Sequence, residues 1–590
     1  MKYLTTLAFT LVLALSSAVF AQSEGTPWGA ADSLGRIVQS SNASTQVRAN
    51  KSVGMFYFLW VDETVAKCHW CDGPYDVSKI LAKLPPEDLK DTEASKSDLW
   101  APGHAMYFWS EPLYGYYNNK DPWVIRRHLQ LLADAGVDFL VFDTTNYVTY
   151  PATVAAICNV MKQIRSEGGR TPQITFMLNT ETDKTAAKLW KEVYGTGKYD
   201  ELLFQLDGKP LMIGDPAQIT DATIKEKLTL RRAHWPFEMV NTQNAWHWEA
   251  AYPQPYGWSI DENTPEQVNV SVAQNLSREP KSPVKFMSSG MARGRSFCNG
   301  KIEEDLATDE GRNFAEQWKR AYELDPPYVM ITGWNEWIAG RWDYGDGRGV
   351  FVDQYNREYS RDIEPMKGGH LDAYYLQAVD GIRKYKGAPA LPKFTAKKTI
   401  NLSGGFEQWQ DVDLTFADWR NETVKRDFSG AGQTHYVNET GRNDFVEFKA
   451  TRDDKNFYFY AKTNADIKAD ALDGLCLLLN VDKNLNSGFV GGDVLIGAKY
   501  DGTKASLAKF DGDKIEDWSW KDSGAVAYKA EKNEIMFAVS FDALGLTTSA
   551  TFNDLEFKWL DNFVGEIKVE DLYTTGDVAP ESRFFFNAAE

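Results

Sequence analysis

The sequence has no long hydrophobic run beyond its first residues. Past residue 21 no segment has about 18 consecutive apolar residues, whereas a membrane-crossing helix needs roughly 20. The chain begins Met1-Lys-Tyr, continues with an apolar run from Leu4 to Phe20, and reaches small residues in Ala18-Val-Phe-Ala21. This pattern is typical of a secretory signal cleaved near Ala21. The residue directly after Ala21 is Gln22 and not a cysteine, which argues against a lipid anchor. We therefore expect a secreted or periplasmic protein with no membrane span.

Positive charge is also scarce. The chain has 64 Lys and Arg residues against 83 Asp and Glu residues, a formal net charge of −19. This balance argues against a nucleic acid or an anionic membrane as partner. A local group such as Arg293, Arg295 and Arg341 would still allow a polyanionic glycan.

Cysteine and the common cofactor motifs are sparse as well. Of five cysteines, only Cys68-His-Trp-Cys71 has the spacing of a metal or redox site, and no second pair of this kind exists. In an oxidising compartment a disulfide is favoured over zinc. The sequence also lacks a nucleophilic serine elbow, a phosphate-binding glycine loop and a dinucleotide fingerprint. We therefore expect catalysis without a metal or cofactor.

The sequence does contain a repeated unit, in which a short apolar run ends in polar residues and a helical pattern follows. One helix begins at Asp121-Pro122 and ends at Gly136, with an N-cap and a helix-ending glycine. The predicted strands are 52–60, 105–109, 137–142, 174–178, 210–213, 237–240, 284–287 and 328–332. About eight such units predict an α/β fold, a (β/α)8 TIM-type barrel over residues 22–390.

A second domain is indicated after the barrel. Proline and lysine give residues 391–399 the composition of a linker. From residue 400 the helical pattern disappears, and short alternating runs such as Phe457-Tyr-Phe-Tyr-Ala461 are separated by turn residues. This pattern predicts an all-β sandwich of about eight strands over residues 400–590.

The most informative stretch is Tyr328-Val-Met-Ile-Thr-Gly-Trp-Asn-Glu-Trp337. A buried strand stops at Gly333 and is followed by Trp334, Asn335, Glu336 and Trp337. Aromatic faces hold sugar rings, an amide fixes hydroxyl groups, and a carboxylate transfers protons. The alternative is an ordinary core strand whose tryptophans pack against a helix.

Other polar and aromatic residues follow the predicted strands, where a barrel carries its active site. Glycoside hydrolysis normally needs two carboxyl groups. Glu336 is the first candidate, and Asp143 or Glu181 is the candidate partner, although each would also serve as a hydrogen-bond anchor. Asp343, Asp346 and Glu364 are further candidates. The residues expected to contact substrate are Tyr57, Trp60, Trp109, Asn146, Asn179, Trp248, Glu249, Trp334, Asn335 and Trp337.

Residues 50 to 385 contain, in this order, Val53-Gly-Met-Phe-Tyr-Phe, Gly115-Tyr-Tyr, Asp121-Pro-Trp-Val-Ile with His128, Ala135-Gly-Val-Asp-Phe-Leu-Val-Phe-Asp143 and Gly333-Trp-Asn-Glu-Trp337. Through these motifs the region resembles the glycoside hydrolase family 99-like group, which includes endo-α-mannosidases and WbsX-type proteins. The family pattern Asn-Glu-Trp-x-Glu-Gly implies two catalytic carboxylates three residues apart. Here Glu336 matches the first, whereas Ala339 stands at the second. Ile363-Glu364-Pro365 resembles a later motif of the family.

The C-terminal region resembles family 9-like carbohydrate-binding modules with a DOMON-like sandwich. Trp409-Gln-Asp-Val, Arg426-Asp-Phe, Gly441-Arg-Asn-Asp444 and Gly576-Asp-Val-Ala-Pro-Glu-Ser-Arg583 carry this resemblance. It implies paired tryptophans on the binding face and a structural calcium. Trp518 and Trp520 are either such a pair or part of the core.

Two functions follow. The first is a secreted glycoside hydrolase that cleaves a polysaccharide or oligosaccharide. The second, motivated by Ala339, is a catalytically inactive polysaccharide-binding protein on a hydrolase scaffold.

Overall fold

The structure, a computed structural model, describes residues 24–42, 46–61, 73–100, 106–238, 241–279, 284–302 and 307–590. The predicted signal segment 1–21 and Cys68-His-Trp-Cys71 lie outside these residues and stay predictions. Within the described ranges, no helix is both long enough and apolar enough to cross a membrane. Cys158, Cys298 and Cys476 are free thiols.

Eight parallel strands form a nearly closed barrel, which confirms the predicted fold class. Their spatial order is β6–β5–β4–β3–β2–β1–β8–β7. The seam between β6 and β7 is bridged by the Gln267 side chain, which accepts from the His247 N–H at 2.8 Å and donates to its carbonyl at 3.0 Å. The strands are β1 (Ser52–Tyr57), β2 (Phe139–Asp143), β3 (Gln173–Met177), β4 (Lys209–Ile213), β5 (Thr229–His234), β6 (Ala245–His247), β7 (Gln267–Ser271) and β8 (Tyr328–Thr332).

Helices cover the outside of the barrel after six of the strands. The helix predicted from Asp121-Pro122 to Gly136 is confirmed: the Asp121 carboxylate accepts from the Trp123 N–H, and Gly136 ends the helix with a φ of 86°. In the described segments that follow β5 and β6 there is no helix. The six are α1 (Pro122–Ala135), α2 (Pro151–Ser166), α3 (Thr182–Leu189), α4 (Ala222–Lys227), α5 (Arg312–Leu324) and α6 (Ala373–Lys386).

Large apolar side chains fill the barrel interior, so it is a packed core and not a channel. Phe56, Phe139, Met177, Ile213 and Met330 belong to this cluster. At Gly54 a β-carbon would lie 2.3 Å from the Phe139 ring, so the glycine makes room for that ring. Because the interior is filled, the open surface for chemistry is the mouth at the carboxyl ends of the strands.

Three predicted strands are misplaced. Phe237, predicted to begin a buried strand, is 55% exposed in the loop after β5. Strand β7 lies at Gln267–Ser271 and not at 284–287, and residues 106–108 pair outside the barrel. Strand β7 alternates polar and apolar residues, and Gln317 of α5 bonds to the Asn269 amide and the Ser271 N–H. Its sequence therefore lacks the continuous apolar run that is expected of a strand in a parallel barrel.

A small antiparallel sheet lies over the mouth of the barrel. Strand Ile338–Trp342 pairs with Met106–Phe108 on one side and with Val350–Phe351 on the other. Further short elements are Ala30–Ala31, Ile37–Val38, Val77–Leu81, Pro86–Leu89, Trp190–Tyr194, Asp200–Leu202, Gln205–Leu206, Gln274–Ser277, Met287–Ser289, Ala292–Arg293, Phe297–Cys298, Lys301–Ile302 and Thr308–Glu310.

The second domain is a ten-stranded antiparallel sheet that curls over its own core, in agreement with the predicted all-β fold. Phe448, Leu477, Phe537 and Trp559 lie in that core. The spatial order is β9–β10–β11–β16–β15–β14–β13–β12–β17–β18. The strands are β9 (Thr415–Ala417), β10 (Phe445–Arg452), β11 (Asn456–Thr463), β12 (Cys476–Asn480), β13 (Val494–Asp501), β14 (Lys504–Phe510), β15 (Trp520–Glu531), β16 (Glu534–Ser540), β17 (Glu556–Asp561) and β18 (Asp577–Ala579). Short elements beside them are Phe406–Trp409, Arg426–Ser429, His435–Asn438, Ala469–Ala471, Phe541–Leu544, Phe552–Asp554 and Asp571–Thr574.

The two domains share one continuous hydrophobic core. Leu129 and Ile382 of the barrel helices belong to the same cluster as Phe489 and Phe585 of the β domain. Buried ion pairs add to this contact: Arg426 donates to Asp121 at 2.7 Å, and Arg583 donates to Asp372 at 2.6 Å. Within the predicted linker, the Phe394 N–H donates to the Ala589 carbonyl. The β domain is therefore fused to the barrel along an extended face.

Candidate active site

The segment after β8 is held by the barrel backbone. The Trp334 N–H donates to the Phe56 carbonyl at 2.8 Å. The Asn335 side chain accepts from the Phe58 N–H at 2.9 Å and donates to its carbonyl at 3.2 Å. Asn335 is fully buried, so its amide anchors the loop between two strand ends. This anchoring fixes the position of the next residue, Glu336.

The aromatic residues around Glu336 lie beneath the mouth. Trp337 stacks on Trp109 with ring centroids 4.7 Å apart, and both are buried. The Trp337 indole N–H donates to Glu364 at 2.6 Å. Glu364 also accepts from the Tyr117 hydroxyl, and His128 Nε2 lies 2.9 Å from its other oxygen. Glu364 thus organises a buried framework that supports the loop from below.

Two more residues expected to contact substrate belong to this framework. The Tyr57 hydroxyl lies 2.9 Å from His128 Nδ1, on the helix side of β1. The Trp334 ring meets the His128 ring edge-on at 5.6 Å. Tyr57, Trp109, Trp334, Asn335 and Trp337 are all at most 2% exposed, so the structure places them under the mouth and not on its surface.

Glu336 is the carboxylate of this loop, and it lies beside Arg361, the cation that also pairs with the more exposed Asp353. Its side chain is 4% exposed. Its Oε2 atom accepts from the Arg361 Nη2 at 3.1 Å and Nε at 3.2 Å, and also from the Gln354 amide. The Glu336 N–H donates to the Asp362 carboxylate. The carboxylate is therefore held in one orientation, while its Oε1 accepts none of these hydrogen bonds.

Arg361 gathers three carboxylates at the mouth. Its guanidinium lies 3.2 Å from Glu249, 3.1 Å from Glu336 and 3.6 Å from Asp353. Its own side chain is 1% exposed and lies over the Trp248 ring at 4.8 Å. One buried cation therefore faces three acids that come from three separate segments of the chain.

The balance of charge raises the proton affinity of these acids. Burial raises the pKa of Glu336 well above its usual range, and Arg361 offsets this effect only in part. Burial likewise raises the pKa of Glu249 to about 7. The pKa of Asp353 is raised by partial desolvation, although its side chain stays 38% exposed. A single guanidinium cannot neutralise three carboxylates in a low-dielectric site, so at least one of them keeps its proton near neutral pH.

Asp362 supports the cluster from the side. Its carboxylate accepts from the Trp109 indole at 2.6 Å as well as from the Glu336 N–H. Burial raises its pKa to about 7. Asp362 and Gln354 therefore position Glu336 directly.

The two predicted partner carboxylates differ in their surroundings. Asp143 ends β2, is buried, and accepts from the Thr145 N–H at 3.0 Å. Burial raises the pKa of Asp143, and the nearby charge of Asp353 raises it further. Glu181 follows β3 with a half-exposed side chain and pairs with Lys184 at 2.7 Å. Only Asp143 is thus brought toward Arg361.

The remaining expected contact residues lie at the rim or near it. Asn146 and Asn179 are exposed just after β2 and β3. Trp60 is half-buried beside Phe58, with ring centroids 6.4 Å apart. Trp248 is 8% exposed and lies between Arg361 and the barrel interior.

Sequence reasoning missed Arg361, Asp353, Asp362 and Gln354. All four follow the glycine-rich insert after Trp342, where no strand or helix pattern indicates that the chain returns to the mouth. One signal was available: Arg361 and Asp362 directly precede Ile363-Glu364-Pro365, a motif already singled out.

The arginines that allowed for a polyanionic glycan do not form one group. Arg295 is fully buried and donates to Ser360 and to the Asp362 carbonyl. Arg341 lies over the Trp100 ring and donates to backbone carbonyls of the 92–95 loop. Only Arg293 lines a cavity at the mouth. Among the described residues, no group of three or more His, Cys, Asp or Glu side chains is placed to hold a metal ion.

The tryptophan pair of the β domain is packed inward on one side. Trp518 and Trp520 are half-buried and meet edge-to-face at 5.3 Å. Trp518 also contacts Phe489 at 4.8 Å, and Trp520 contacts Phe510 at 5.7 Å.

No protein-family model matches the chain, and no curated protein sequence matches it. Several solved structures are similar to it. A family 99 endo-alpha-mannosidase from Bacteroides thetaiotaomicron is 16% identical, with 57% of this chain and 98% of that chain covered and a TM-score of 0.33. A glycoside hydrolase-like protein is 11% identical, with 59% and 98% covered and a TM-score of 0.31. An alpha-fucosidase from Thermotoga maritima is 8% identical, with 84% and 93% covered and a TM-score of 0.21. With TM-scores this low, these likenesses carry no argument about activity.

Proposed function

We propose that this protein is a glycoside hydrolase that cleaves a polysaccharide or oligosaccharide at the mouth of its barrel. The observation that carries the proposal is the group of Glu336, Glu249 and Asp353 around Arg361. Glycosidic bonds are cleaved by two carboxyl groups, one that donates a proton and one that is ionised. A cluster in which burial holds protons on some carboxyl groups while a cation keeps others charged supplies both states at one pH.

In this proposal Glu336 is the general acid. Its buried carboxyl group keeps a proton, and Oε1 is not used by the hydrogen bonds that orient Oε2. The proton passes to the glycosidic oxygen as the bond to the anomeric carbon breaks. Arg361 then stabilises the carboxylate that remains.

Asp353 is the ionised partner. It is the most exposed of the three carboxylates beside Arg361, so water and the anomeric carbon reach it. It either takes a proton from the attacking water or attacks the anomeric carbon itself, and the stereochemistry of the product distinguishes the two. Glu249 is fully buried and orients Arg361 from the opposite side. The charge of Asp353 in turn raises the pKa of Asp143.

The test is a reducing-sugar screen of the mature protein on α-mannans, α-glucans and sulfated algal polysaccharides. On the substrate that the wild type cleaves, we expect Glu336→Gln and Asp353→Asn each to lower kcat by about 10²-fold to 10⁴-fold, the usual contribution of an acid or base. Glu181→Gln is the matched control, because its carboxylate pairs with exposed Lys184. We expect that variant to keep wild-type kcat.

The outcomes separate the assignments. Loss of activity in Glu181→Gln together with full activity in Asp353→Asn would make Glu181, and not Asp353, the second catalytic carboxylate. Loss in Asp143→Asn with Asp353→Asn unaffected would transfer the role to Asp143. Full activity in Glu336→Gln would overturn the proposal for Glu336.

One observation favours the binding-protein alternative. Ala339, at the position of the family's second acid, lies in an apolar cluster with Tyr107 and Phe351 and not among the carboxylates around Arg361. If Asp353 does not replace that acid, the mouth binds glycan without cleaving it. Equal glycan binding by wild type and Glu336→Gln, with no turnover of any glycan by either, would establish this alternative.

We further propose export by the N-terminal signal, and a calcium ion in the β domain. Calcium prefers oxygen donors. The loop after β12 places Asp482, Asn484, Asn486 and Asp493 at positions 1, 3, 5 and 12 of a calcium-loop spacing. Burial raises the pKa of Asp493 to about 6, and the charge of Asp482 adds to this, so a cation would relieve their repulsion. A lower melting temperature in EDTA, restored by calcium, tests this proposal.

A further inference from the structure

A cavity of about 250 Å³ opens beside the catalytic cluster, on the side of β5 and β6. His247 at the end of β6 lines it, and so do Glu249 and Ala251 just beyond. Ser277 and Arg293, from the short hairpin after β7, line the opposite side. Glu249 therefore belongs to both the cavity wall and the group around Arg361.

Two buried polar atoms of this wall have no hydrogen-bond partner of good geometry among the described residues. Glu249 uses Oε2 for Arg361, whereas its Oε1 makes no such bond, although the nearby Asn275 N–H lowers the pKa of this carboxyl group. His247 Nδ1 also makes no such bond, and both residues are fully buried. Buried polar atoms in folded proteins nearly always have a hydrogen-bond partner. These two atoms are therefore acceptors left for a hydroxyl group of a molecule in the cavity.

The imidazole of His247 is neutral, and its Nδ1 is an acceptor without a donor among the described residues. Burial, with the nearby charges of His234 and Arg232, lowers its pKa to about 3. Its Nε2 lies 3.2 Å from the Asn241 amide oxygen, which can only accept, so the ring proton is on Nε2. The lone pair on Nδ1 is left for a donor such as a hydroxyl group.

Arg293 supplies donors on the other side. Its Nε donates to the Ser277 carbonyl at 3.1 Å, and its guanidinium lies over the Phe297 ring at 4.8 Å. Its terminal nitrogens make no hydrogen bond to the described residues. Glu238 and Glu279 also line the cavity, so Arg293 does not make it basic. A wall with acceptors, donors and both signs of charge suits a neutral, hydroxyl-rich molecule better than an anion.

We propose that this cavity is a subsite for one neutral sugar residue of the substrate, next to the bond that is cleaved. The proposal rests on the proposed hydrolase function and narrows its substrate to a neutral glycan. His247 Nδ1 and Glu249 Oε1 accept from sugar hydroxyl groups, and Arg293 donates to a ring or hydroxyl oxygen. The volume of the cavity agrees with a single sugar residue. At roughly 30 Å³ for each water in the liquid, it holds about eight waters. It is also slightly smaller than the roughly 300 Å³ at which pockets for drug-sized ligands begin.

The test measures sugar binding without turnover. The protein carries Glu336→Gln, and the probes are D-mannose, D-glucose, D-galactose, D-glucuronic acid and D-galactose 6-sulfate, titrated by saturation-transfer NMR. A second substitution, Ala251→Leu, fills the cavity without touching the group around Arg361. Ala152→Leu, on the exposed face of α2, is the matched control. His247→Leu in the same background removes the acceptor and leaves the cavity open.

We expect at least one neutral sugar to bind more tightly than both acidic sugars. Its Kd is expected to rise at least tenfold in Ala251→Leu and in His247→Leu, and to change less than twofold in Ala152→Leu. Tighter binding of the acidic sugars, no binding of any neutral sugar, or a Kd unaffected by Ala251→Leu would overturn the subsite. Lack of turnover by the wild type, with these binding shifts intact, would count against the hydrolase and not against the sugar site.

Discussion

At the scale of single residues, the site depends on one cation shared by several acids. Arg361 is buried, and burial opposes its charge, yet the carboxylates of Glu336, Glu249 and Asp353 raise its pKa and keep it protonated. Its charge in turn lowers the pKa of each acid, and at Asp353 it offsets part of the rise that burial causes. The protonation states of the three acids therefore depend on the side chain of Arg361.

Replacing Arg361 tests this dependence. In Arg361→Gln the pKa of Asp353 rises, because an attractive positive charge is lost while the neighbouring acids remain. Asp353 must be ionised to act, so the acidic limb of the kcat/KM profile should move to higher pH by roughly one to three units. Arg361→Lys keeps the charge and should recover part of the shift. An unchanged limb in Arg361→Gln would show that Asp353 is not the titrating group.

The residue scale also shows what the sequence predicted about the site. A carboxylate soon after a buried strand predicts a position near the mouth for Glu336, because a parallel barrel brings all strand ends to one mouth; its catalytic role stays a prediction. The sequence position of an aromatic residue close to the end of a strand does not determine whether that residue faces solvent. Trp334, Asn335 and Trp337 are adjacent to Glu336, yet hydrogen bonds to Phe58 and Glu364 hold Asn335 and Trp337 below the mouth.

At the scale of elements, the strand that follows Glu336 explains the missing second acid. Strand Ile338–Trp342 pairs with Met106–Phe108, opposite Tyr107, which directs Ala339 into an apolar cluster. A carboxylate at 339 would be buried without a partner in that cluster. In the proposed mechanism the partner acid therefore comes from another segment, the loop that carries Asp353.

Restoring the family's acid should thus destabilise the protein and leave its activity unimproved. Burying an unpaired carboxyl group in an apolar cluster costs about 2 kcal/mol or more. We expect Ala339→Glu to lower the midpoint of urea unfolding and to give no gain in kcat. Ala152→Glu, at an exposed helix position, should leave both unchanged. A gain in kcat by Ala339→Glu would place residue 339 at the mouth, contrary to this structure.

Helices and strands of this protein also differ in how well their own sequence predicts them. Helix α1 carries an N-cap, an N-terminal proline and a helix-ending glycine, so local chemistry determines both of its ends. Strand β7 alternates polar and apolar residues, and its polar groups are satisfied by Gln317 and other side chains from distant segments. Local patterns cannot reveal partners that arrive only with tertiary folding.

At the scale of the whole molecule, the barrel and the β domain form a single packed unit. Arg583 and Asp372 lie across their contact, and both side chains are fully buried at 2.6 Å. The Tyr573 hydroxyl also donates to Asp372 at 2.6 Å. Gly115 of the barrel has a φ of 76° and sits where a β-carbon would be 2.4 Å from the Tyr436 ring of the β domain. This close contact requires glycine.

Thermal unfolding tests this fusion. We expect one calorimetric transition for the full chain. Breaking a buried ion pair by removing one partner costs about 3–5 kcal/mol, so Arg583→Ala should lower the temperature of that single transition. Lys425→Ala, which breaks an exposed pair with Glu439, should change it little. Two separate transitions in the wild type would show that the domains unfold independently.

By itself the sequence determined the two-domain order, the barrel, the β domain and the position of Glu336 after a core strand. These features follow from local periodicity, capping and strand-end patterns, which each segment carries within its own residues. Only the tertiary structure decided which groups meet at the mouth. Glu249 and Arg361 are 112 residues apart in sequence, and their contact depends on the paths of loops that have no periodic pattern. The depth of each tryptophan and the neighbours of each carboxylate were decided in the same way, because burial and electrostatics are properties of the assembled mouth and not of any one segment.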